Sequence, residues 1–356
     1  MTNRQEYDVA VVGAGITGLI CARQLHQAGY RVAVLDKSRG VGGRLATRRL
    51  HGTWADHGTC YLSVEDDRFR GFVEQLIAAG VLQVWTDTIH ELGADGQLQP
   101  RGPVDRYVAP LGMTAVAKFL SADLTLHLNH RVEALELTTA GWCLRALAGS
   151  ETESKWVEVL APAIVIAIPA PQAQLLLQPL ADLVSPELIE RLQAVNFFPS
   201  LSVMAGYPPE LLSEWQRAYP GVKAMTVLDD PTLAWVGLDS SKRSSPTQPV
   251  FVIQSSATFA DRYLDTADLQ PPATELLHHL ATRLQPWLAS PDWMQIHRWR
   301  YAFTRQPLGA DYLAAPTSLP LVCSGDWCTG RKVNNGFGAG LATAAWIMTK
   351  LPTIKI

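Results

Sequence analysis

The chain has 356 residues, with 30 Lys plus Arg against 33 Asp plus Glu, so its formal charge is −3. Charged residues make up 18% and hydrophobic residues 47%, a balance far from that of disordered chains. At ~150 residues per domain it suits two domains, or one large domain with an insertion.

With that charge and no basic stretch, there is no electrostatic footprint for nucleic acid or an anionic membrane. Cysteines stand at 21, 60, 143, 323 and 328. They are odd in number and show no C-x-x-C or Cys/His cluster, which argues against a disulfide framework and against a metal site. The polar start, Met1 to Tyr7, does not read as a signal peptide. The longest uncharged apolar runs, 161–171 and 336–349, fall short of the ~20 residues of a membrane span. A cytoplasmic protein with no membrane partner is expected, and nothing in the chain specifies an oligomeric state.

Residues 7–12 form a short apolar run rich in β-branched side chains, followed by Gly13-Ala14-Gly15-Ile16-Thr17-Gly18. Leu19, Ala22, Leu25 and Ala28 then recur along one helical stripe. Gly29 ends that helix, and residues 31–35 form a second apolar strand closing on Asp36. Strand, glycine turn, helix and strand make a βαβ unit. The glycines at 13, 15 and 18 match G-x-G-x-x-G: the first permits the tight turn, the second lets a pyrophosphate approach, and the third lets helix and strand pack closely. The pyrophosphate would sit on the positive end of the helix, and Asp36 would accept hydrogen bonds from an adenosine ribose. A glycine-rich turn of no function accounts for the glycines alone, but not for strand, helix, second strand and acid together.

After Asp36 come Lys37-Ser38-Arg39-Gly40-Val41-Gly42-Gly43-Arg44. Gly42 and Gly43 let the chain pass close to a ligand, and Arg44 can reach a pyrophosphate or a ribityl chain. A plain NAD dehydrogenase does not need this second element, so a flavin dinucleotide is favoured.

Further along, 124–128, 132–137, 142–147 and 156–160 read as short strands leading into a buried strand at 164–168. Beyond it, helix-like pieces (186–195, 272–284) alternate with strands (201–205, 233–238, 250–255, 294–303), which suits a second, α+β domain with an antiparallel sheet. Residues 240–249, rich in Ser and Pro, read as a surface loop. Residues 319–323 are a strand, 324–338 a Gly/Asn-rich loop and 341–349 a helix. In that loop Gly325-Asp326 offers a carboxylate at a strand end for ribityl hydroxyls. Asn335-Gly336 opens a helix whose N-terminus would stabilise a reduced, anionic flavin.

The order GAGITG, an acid, RGVGGR, Ala55-Asp56-His57-Gly58 and a C-terminal Gly-Asp before a glycine-rich helix resembles the FAD-dependent amine oxidase superfamily. Trp299-Arg300-Tyr301-Ala302 and the strand-plus-proline at 163–171 are most similar to its renalase-like members. The resemblance implies an α/β plus α+β protein of the hydroxybenzoate-hydroxylase/amine-oxidase type, a Rossmann-type FAD-binding domain with an inserted antiparallel-sheet substrate domain. The expected division is 1–65, 105–172 and 312–356 for FAD, against 66–104 and 173–311 for substrate, with non-covalent FAD at their interface.

In that family the segment like residues 56–63 lies against the isoalloxazine ring, the backbone at Val132 lies by the adenine, and Asp326 faces the ribityl and pyrophosphate portion. Relatives usually carry Gln where this chain has Cys60. The cofactor set thus expected is Gly13, Ala14, Gly15, Ile16, Thr17, Asp36, Lys37, Gly43, Arg44, Asp56, His57, Gly58, Val132, Gly325, Asp326, Asn335 and Gly336.

Hydride transfer to a flavin needs positioning and exclusion of water more than a side-chain base. The absence of a Ser/His/Asp or paired-carboxylate signature argues against hydrolysis and leaves oxidation open. Candidates beside the ring are His57, Tyr61, Trp299 and Tyr301. Trp299 and Tyr301 alternate with Arg298 and Arg300 and so face one side of a strand, as an aromatic wall or simply as core. His57 suits a structural hydrogen-bonder beside the loop glycine more than a proton shuttle. Cys60 and Cys328 lack a partner cysteine and suit inert packing. Arg298, Arg300 and Arg305 suit a solvated face, or a phosphate clamp.

The resemblance implies an FAD-dependent oxidase taking hydride onto flavin N5. Its first substrate class is the dihydro isomers of NAD(P)H, oxidised to NAD(P)⁺ with oxygen reduced to hydrogen peroxide. An amine oxidase, a flavin-binding protein without turnover and a desaturase or isomerase of lipophilic substrates stay open beside it.

Overall fold

The computed structural model of the chain describes residues 4–149 and 153–352. The first residues of the polar start, 1–3, lie outside it. The chain folds into two compact units. One comprises residues up to Gly43, Val116–Phe197 and residues from Phe303 on; the other comprises Arg44–Ala115 and Phe198–Ala302.

The first unit is built on β1 (Val9–Val12), β2 (Val32–Asp36), β3 (Thr125–Leu128), β4 (Ala163–Ile166), β5 (Leu313–Ala314) and β6 (Leu321–Cys323), in the order β3-β2-β1-β4-β6-β5. All neighbours pair in parallel except β5 with β6. Every residue of β1 and β4 is buried, the pattern of strands covered on both faces, which therefore read as unbroken apolar runs. Helix α1 (Ile16–Gln27) connects β1 to β2. Residues 130–138, 141–149 and 154–161 form a separate antiparallel sheet in the same unit. Its inner residues Trp142, Leu144, Ala146 and Val159 join the core of Ala10, Ile164 and Trp327.

Helix α2 (Val333–Lys350) begins earlier than the turn-forming residues of 324–338 suggest, so part of the expected loop is helix. The reason is tertiary. A Cβ on Gly340 would lie 2.7 Å from the Thr17 carbonyl oxygen and 2.9 Å from Ile20 Cβ. The glycines are there to let α2 lie against α1, and that packing outweighs their poor helix propensity.

The second unit holds a seven-stranded sheet in the order Trp293–Gln306, Asn196–Gly206, Val250–Ser255, Leu233–Leu238, Ala224–Val227, Ile89–Leu92 and Leu98–Arg101. One face carries Leu201, Val203, Val236, Phe251 and Ile253, covered by Trp215, Leu276, Leu277 and Leu280. Side chains alternate across a strand, so the other face carries the cross-strand row Ser202, Gln254 and Trp235, which stand opposite one another. The supposed surface loop 240–249 starts inside this unit: Asp239, Ser240 and Lys242 are buried in a short 3₁₀ turn. Pairing of charges rather than composition decides that burial. No helix among the described residues is long and apolar enough to cross a membrane.

If close approach of the two helices sets the fold of the first unit, Gly340→Ala lowers its stability by about 1–3 kcal/mol, the usual cost of overpacking. Urea unfolding followed by circular dichroism measures it, and an unchanged midpoint would contradict the packing argument.

Candidate functional site

In the first unit the chain leaves β1 through Gly13, whose φ of +110° is open to glycine and strained for other residues. A Cβ there would also lie 2.5 Å from the Ala167 carbonyl oxygen, and one on Gly18 would collide with the Gly13 carbonyl oxygen. The turn can therefore pass tightly under β4 and start α1 at once. Gly15 caps α1 with no side-chain hydrogen bond and no acid in the first turn, and nothing lies within 4 Å of where its Cβ would stand. A helix N-terminus without a side-chain cap, with room beside Gly15, suits a pyrophosphate.

Around this turn the predicted residues converge. Asp36 accepts from the Ala14 N–H through Oδ2 and from the Ser38 N–H through Oδ1, both at 2.7 Å. A carboxylate has about four acceptor positions, so capacity for ribose hydroxyls is left. The second glycine element folds onto the first: the Gly42 N–H donates to Ala14 O at 2.8 Å, Gly15 and Gly42 form a parallel bridge, and Gly43 comes within contact of Gly15. On the far side the Thr17 hydroxyl donates to Gly336 O at 2.9 Å, which ties the first turn of α2 to the first turn of α1. Ile16 packs at the same place, 2.7 Å from the position of a Gly336 Cβ.

Gly325 and Asp326 are buried directly after β6. Asn335 accepts from the Lys332 N–H at 3.1 Å and so caps α2. Val132 is half-buried two residues after His130, and the chain just before it is pinned by the Asn129 N–H to Ser38 O at 3.0 Å. Lys37 is exposed in the turn after Asp36. An open backbone cradle, an acid with spare acceptors and a second glycine strand fit the ADP portion of FAD.

The second unit assembles the remaining candidates around residues 56–60. His57, buried, stacks on Trp299 with ring centroids 5.3 Å apart and planes 17° apart, and the Trp299 indole N–H donates to His57 O at 2.8 Å. A third ring that sequence reasoning missed, His297, stands edge-on to both, at 4.6 and 4.4 Å. Its signal was available, since His297 lies two residues before Trp299 on one strand and so shares its side. Tyr61 instead packs on Trp235 at 5.4 Å, under the Arg106 guanidinium at 5.5 Å.

Gln254, the cross-strand neighbour of Trp235, donates to Gly58 O at 2.9 Å. It too was missed, although one amide in a buried apolar strand signals a polar task. The Arg44 guanidinium donates to Ala302 O at 3.1 Å. Arg298 and Arg300 hydrogen-bond to the 263–266 loop, through Thr266 O at 2.7 Å and the Asp265 carboxylate at 2.6 Å, and Arg300 stays exposed there.

Asp56 is 1% exposed and its carboxylate is fully engaged. Oδ1 accepts from the Thr47 hydroxyl at 2.6 Å and the Met113 N–H at 2.8 Å, and Oδ2 accepts from Lys242 Nζ at 2.9 Å. Lys242 also pairs with Asp239 at 2.5 Å, and Arg243 closes the group on Asp239 at 2.8 Å. Burial pushes the Asp239 carboxyl up, but Lys242 and Arg243 outweigh it and hold the group below its usual range. Burial and the neighbouring Asp239 raise Asp56 against the pull of Lys242. Burial opposes the Lys242 ammonium, but the two carboxylates more than offset that and keep it charged.

The imidazoles behave oppositely. Burial, then the charges of His297 and Arg48, lower His57 to about 3. Burial, then Arg48 and Arg298, lower His297 to about 4. Both rings are neutral at ordinary pH, and His57 Nδ1 is buried with no hydrogen-bond partner. Burial pushes the Cys60 and Cys328 thiols each up to about 12, so neither is a nucleophilic thiolate.

Residues 11–76 match the NAD(P)-binding Rossmann-like domain, and residues 64–348 match the flavin containing amine oxidoreductases. The chain belongs to the flavin-containing amine oxidoreductase family. Membership implies FAD as its cofactor and oxidoreduction as its reaction type. Among curated relatives, the putrescine oxidase of Kocuria rosea is 39% identical over 71 residues, 20% of this chain and 15% of that one. The L-amino-acid oxidase of Siganus canaliculatus is 37% identical over 70 residues, 19% of this chain and 13% of that one. The aligned stretches thus span a small part of those relatives' lengths. Putrescine oxidase in complex with putrescine matches in fold over 97% of this chain and 100% of that one, with a TM-score of 0.71 and 15% identity. A single-site mutant from a redesign of cofactor binding in that enzyme matches over 98% and 100%, with a TM-score of 0.74 and 15% identity.

The buried imidazoles make stability pH-dependent. Their folded pKa values lie below the ~6.5 of an unfolded histidine, so below pH 6.5 the unfolded chain binds protons that the folded one does not. Stability is then lost as pH falls from about 6.5 toward about 4 for His297 and about 3 for His57, by about 1 kcal/mol per ring at pH 5.5. Urea midpoints at pH 7.5 and 5.5 measure this, and His57→Phe should shrink the difference. An equal difference in that variant would show that other groups carry it.

Proposed function

We propose that the chain is a renalase-like FAD-dependent oxidase that oxidises dihydro isomers of NAD(P)H to NAD(P)⁺, with oxygen reduced to hydrogen peroxide, in a reducing compartment such as the cytoplasm. In this reading the seventeen residues named above for the cofactor hold FAD, those of the Gly13–Gly18 turn and Asp36 taking its ADP portion. The second unit supplies the substrate face, with Trp299, His57 and Tyr61 in contact with substrate. Bound FAD supplies a two-electron acceptor that oxygen restores.

One observation carries the choice of substrate. The candidate face at His57, His297 and Trp299 is aromatic and neutral, its imidazoles feel the positive charges of Arg48 and Arg298, and the nearby carboxylates Asp56 and Asp239 are consumed by Lys242 and Arg243. A planar, uncharged dihydropyridine on an anionic dinucleotide suits such a surface. An alkylammonium finds no free carboxylate there. A dihydropyridine becomes aromatic on losing hydride, so rings that position it and exclude water are enough, and no general base is called for.

A second reading, an amine oxidase, is favoured by the family and by the likeness to putrescine oxidase. Anaerobic mixing separates them. Bleaching of the flavin by 2- and 6-dihydro isomers of NAD(P)H, and none by putrescine, supports the first reading; the reverse pattern sinks it. Flavin untouched by either donor would favour a binding protein without turnover.

Two substitutions refine the roles. Trp299→Leu should lower turnover by about ten- to a hundred-fold through misplacement of the substrate while FAD is retained. Asp36→Ala should instead weaken FAD binding, measured by flavin fluorescence on dilution. Normal turnover in Trp299→Leu would remove that ring from the site.

A further inference from the structure

Residues 56–59 are each held by a hydrogen bond or ion pair. Asp56 is gripped through its carboxylate by Lys242 at 2.9 Å. The His57 N–H donates to Ala46 O at 3.1 Å, and the His57 carbonyl accepts from Trp299 at 2.8 Å. The Gly58 carbonyl accepts from Gln254 at 2.9 Å, and the Thr59 N–H donates to Arg44 O at 2.8 Å. A Cβ on Gly58 would collide with the Arg44 carbonyl oxygen, so only glycine lets the two stretches run this close.

Among these tethers one differs in kind. Lys242 and Asp56 are 3% and 1% exposed, and a buried ammonium and carboxylate without each other would be unsupported charges. Lys242 has no route to a substrate through its ammonium, which is shared between Asp56 and Asp239 under the Trp85 ring. Asp56 in turn holds Thr47 and the Met113 N–H, so the ion pair ties together three stretches of chain at one end of the segment.

We propose that Lys242 is a positioning residue: acting through Asp56, it fixes the backbone of residues 56–60 and so shapes the face offered to the flavin ring. This rests on the reading above that sets the segment against that ring; the tether itself does not.

The test uses the FAD-loaded protein and the charge-balanced double variant Asp56→Asn/Lys242→Met, which removes one charge of each sign and leaves Asp239 paired with Arg243. Lys242→Met alone strands a carboxylate and risks misfolding, so it serves only as a comparison. Two signals are read: amide hydrogen exchange at His57 and Thr59, with Val252 and Ile253 as internal controls, and the visible absorption band of the flavin.

Exchange at 57 and 59 rising about ten-fold or more over the controls, with a shifted flavin band and kcat falling more than KM changes, is the expected result. Unchanged exchange at those amides overturns the proposal, and so does an equal rise in the controls, which would mark a merely structural pair. A local rise with an unmoved flavin band overturns the link to the ring while leaving the tether standing. Protein that never holds FAD defeats the functional reading instead, and the exchange arm still decides the tether.

Discussion

A charge taken out of water must meet its opposite at close range, and in the second unit that constraint organises the segment around His57. Lys242 lies buried among Asp56, Asp239 and, one residue on, Arg243. Two positive and two negative groups offset one another, so no uncompensated charge remains. Because Asp56 is far along the chain from the turn that carries Asp239, Lys242 and Arg243, satisfying the charges also joins strand 53–56, that turn and the approach to the helix after Met113. The neutral rings of His57, His297 and Trp299 rest on the segment so fixed.

The first unit obeys a different constraint, closeness of backbone to backbone. Gly13 passes against Ala167, Gly42 bridges Gly15, and Gly340 lets α2 lie on Thr17 and Ile20 of α1. The approaches at Gly13 and Gly340 exclude a Cβ, and α1 starts at Gly15 without a side-chain cap. Recognition of a dinucleotide follows from what is missing at these positions as much as from Asp36, whose carboxylate is already oriented by the Ala14 and Ser38 amides.

Much of this was legible in the linear chain, and the reasons differ by element. The strand–turn–helix–strand at the start could be read because G-x-G-x-x-G and a terminal acid are local, so their spacing along the chain is their spacing in space. The Gly/Asn-rich stretch before α2 was misjudged because propensity is local whereas packing against α1 is not. Residues 240–249 look like a solvated loop by composition, and Lys242 belongs inside only because Asp56 waits there. His297 and Gln254 carried faint signals, a shared strand side and a lone amide in an apolar run, that take on meaning only beside His57 and Gly58.

Sequence by itself therefore determined the dinucleotide-binding start, the two styles of secondary structure and the family, because periodicity, glycine spacing and motif order are properties of neighbouring residues. Only the tertiary structure decided which side chains share a site. Asp56 and Lys242 are 186 positions apart, and His57 and Trp299 are 242. Whether such groups meet depends on sheet register and burial, and so does whether a buried charge is paired or an imidazole is kept neutral. Those are properties of the assembled core, which no single stretch of the chain contains.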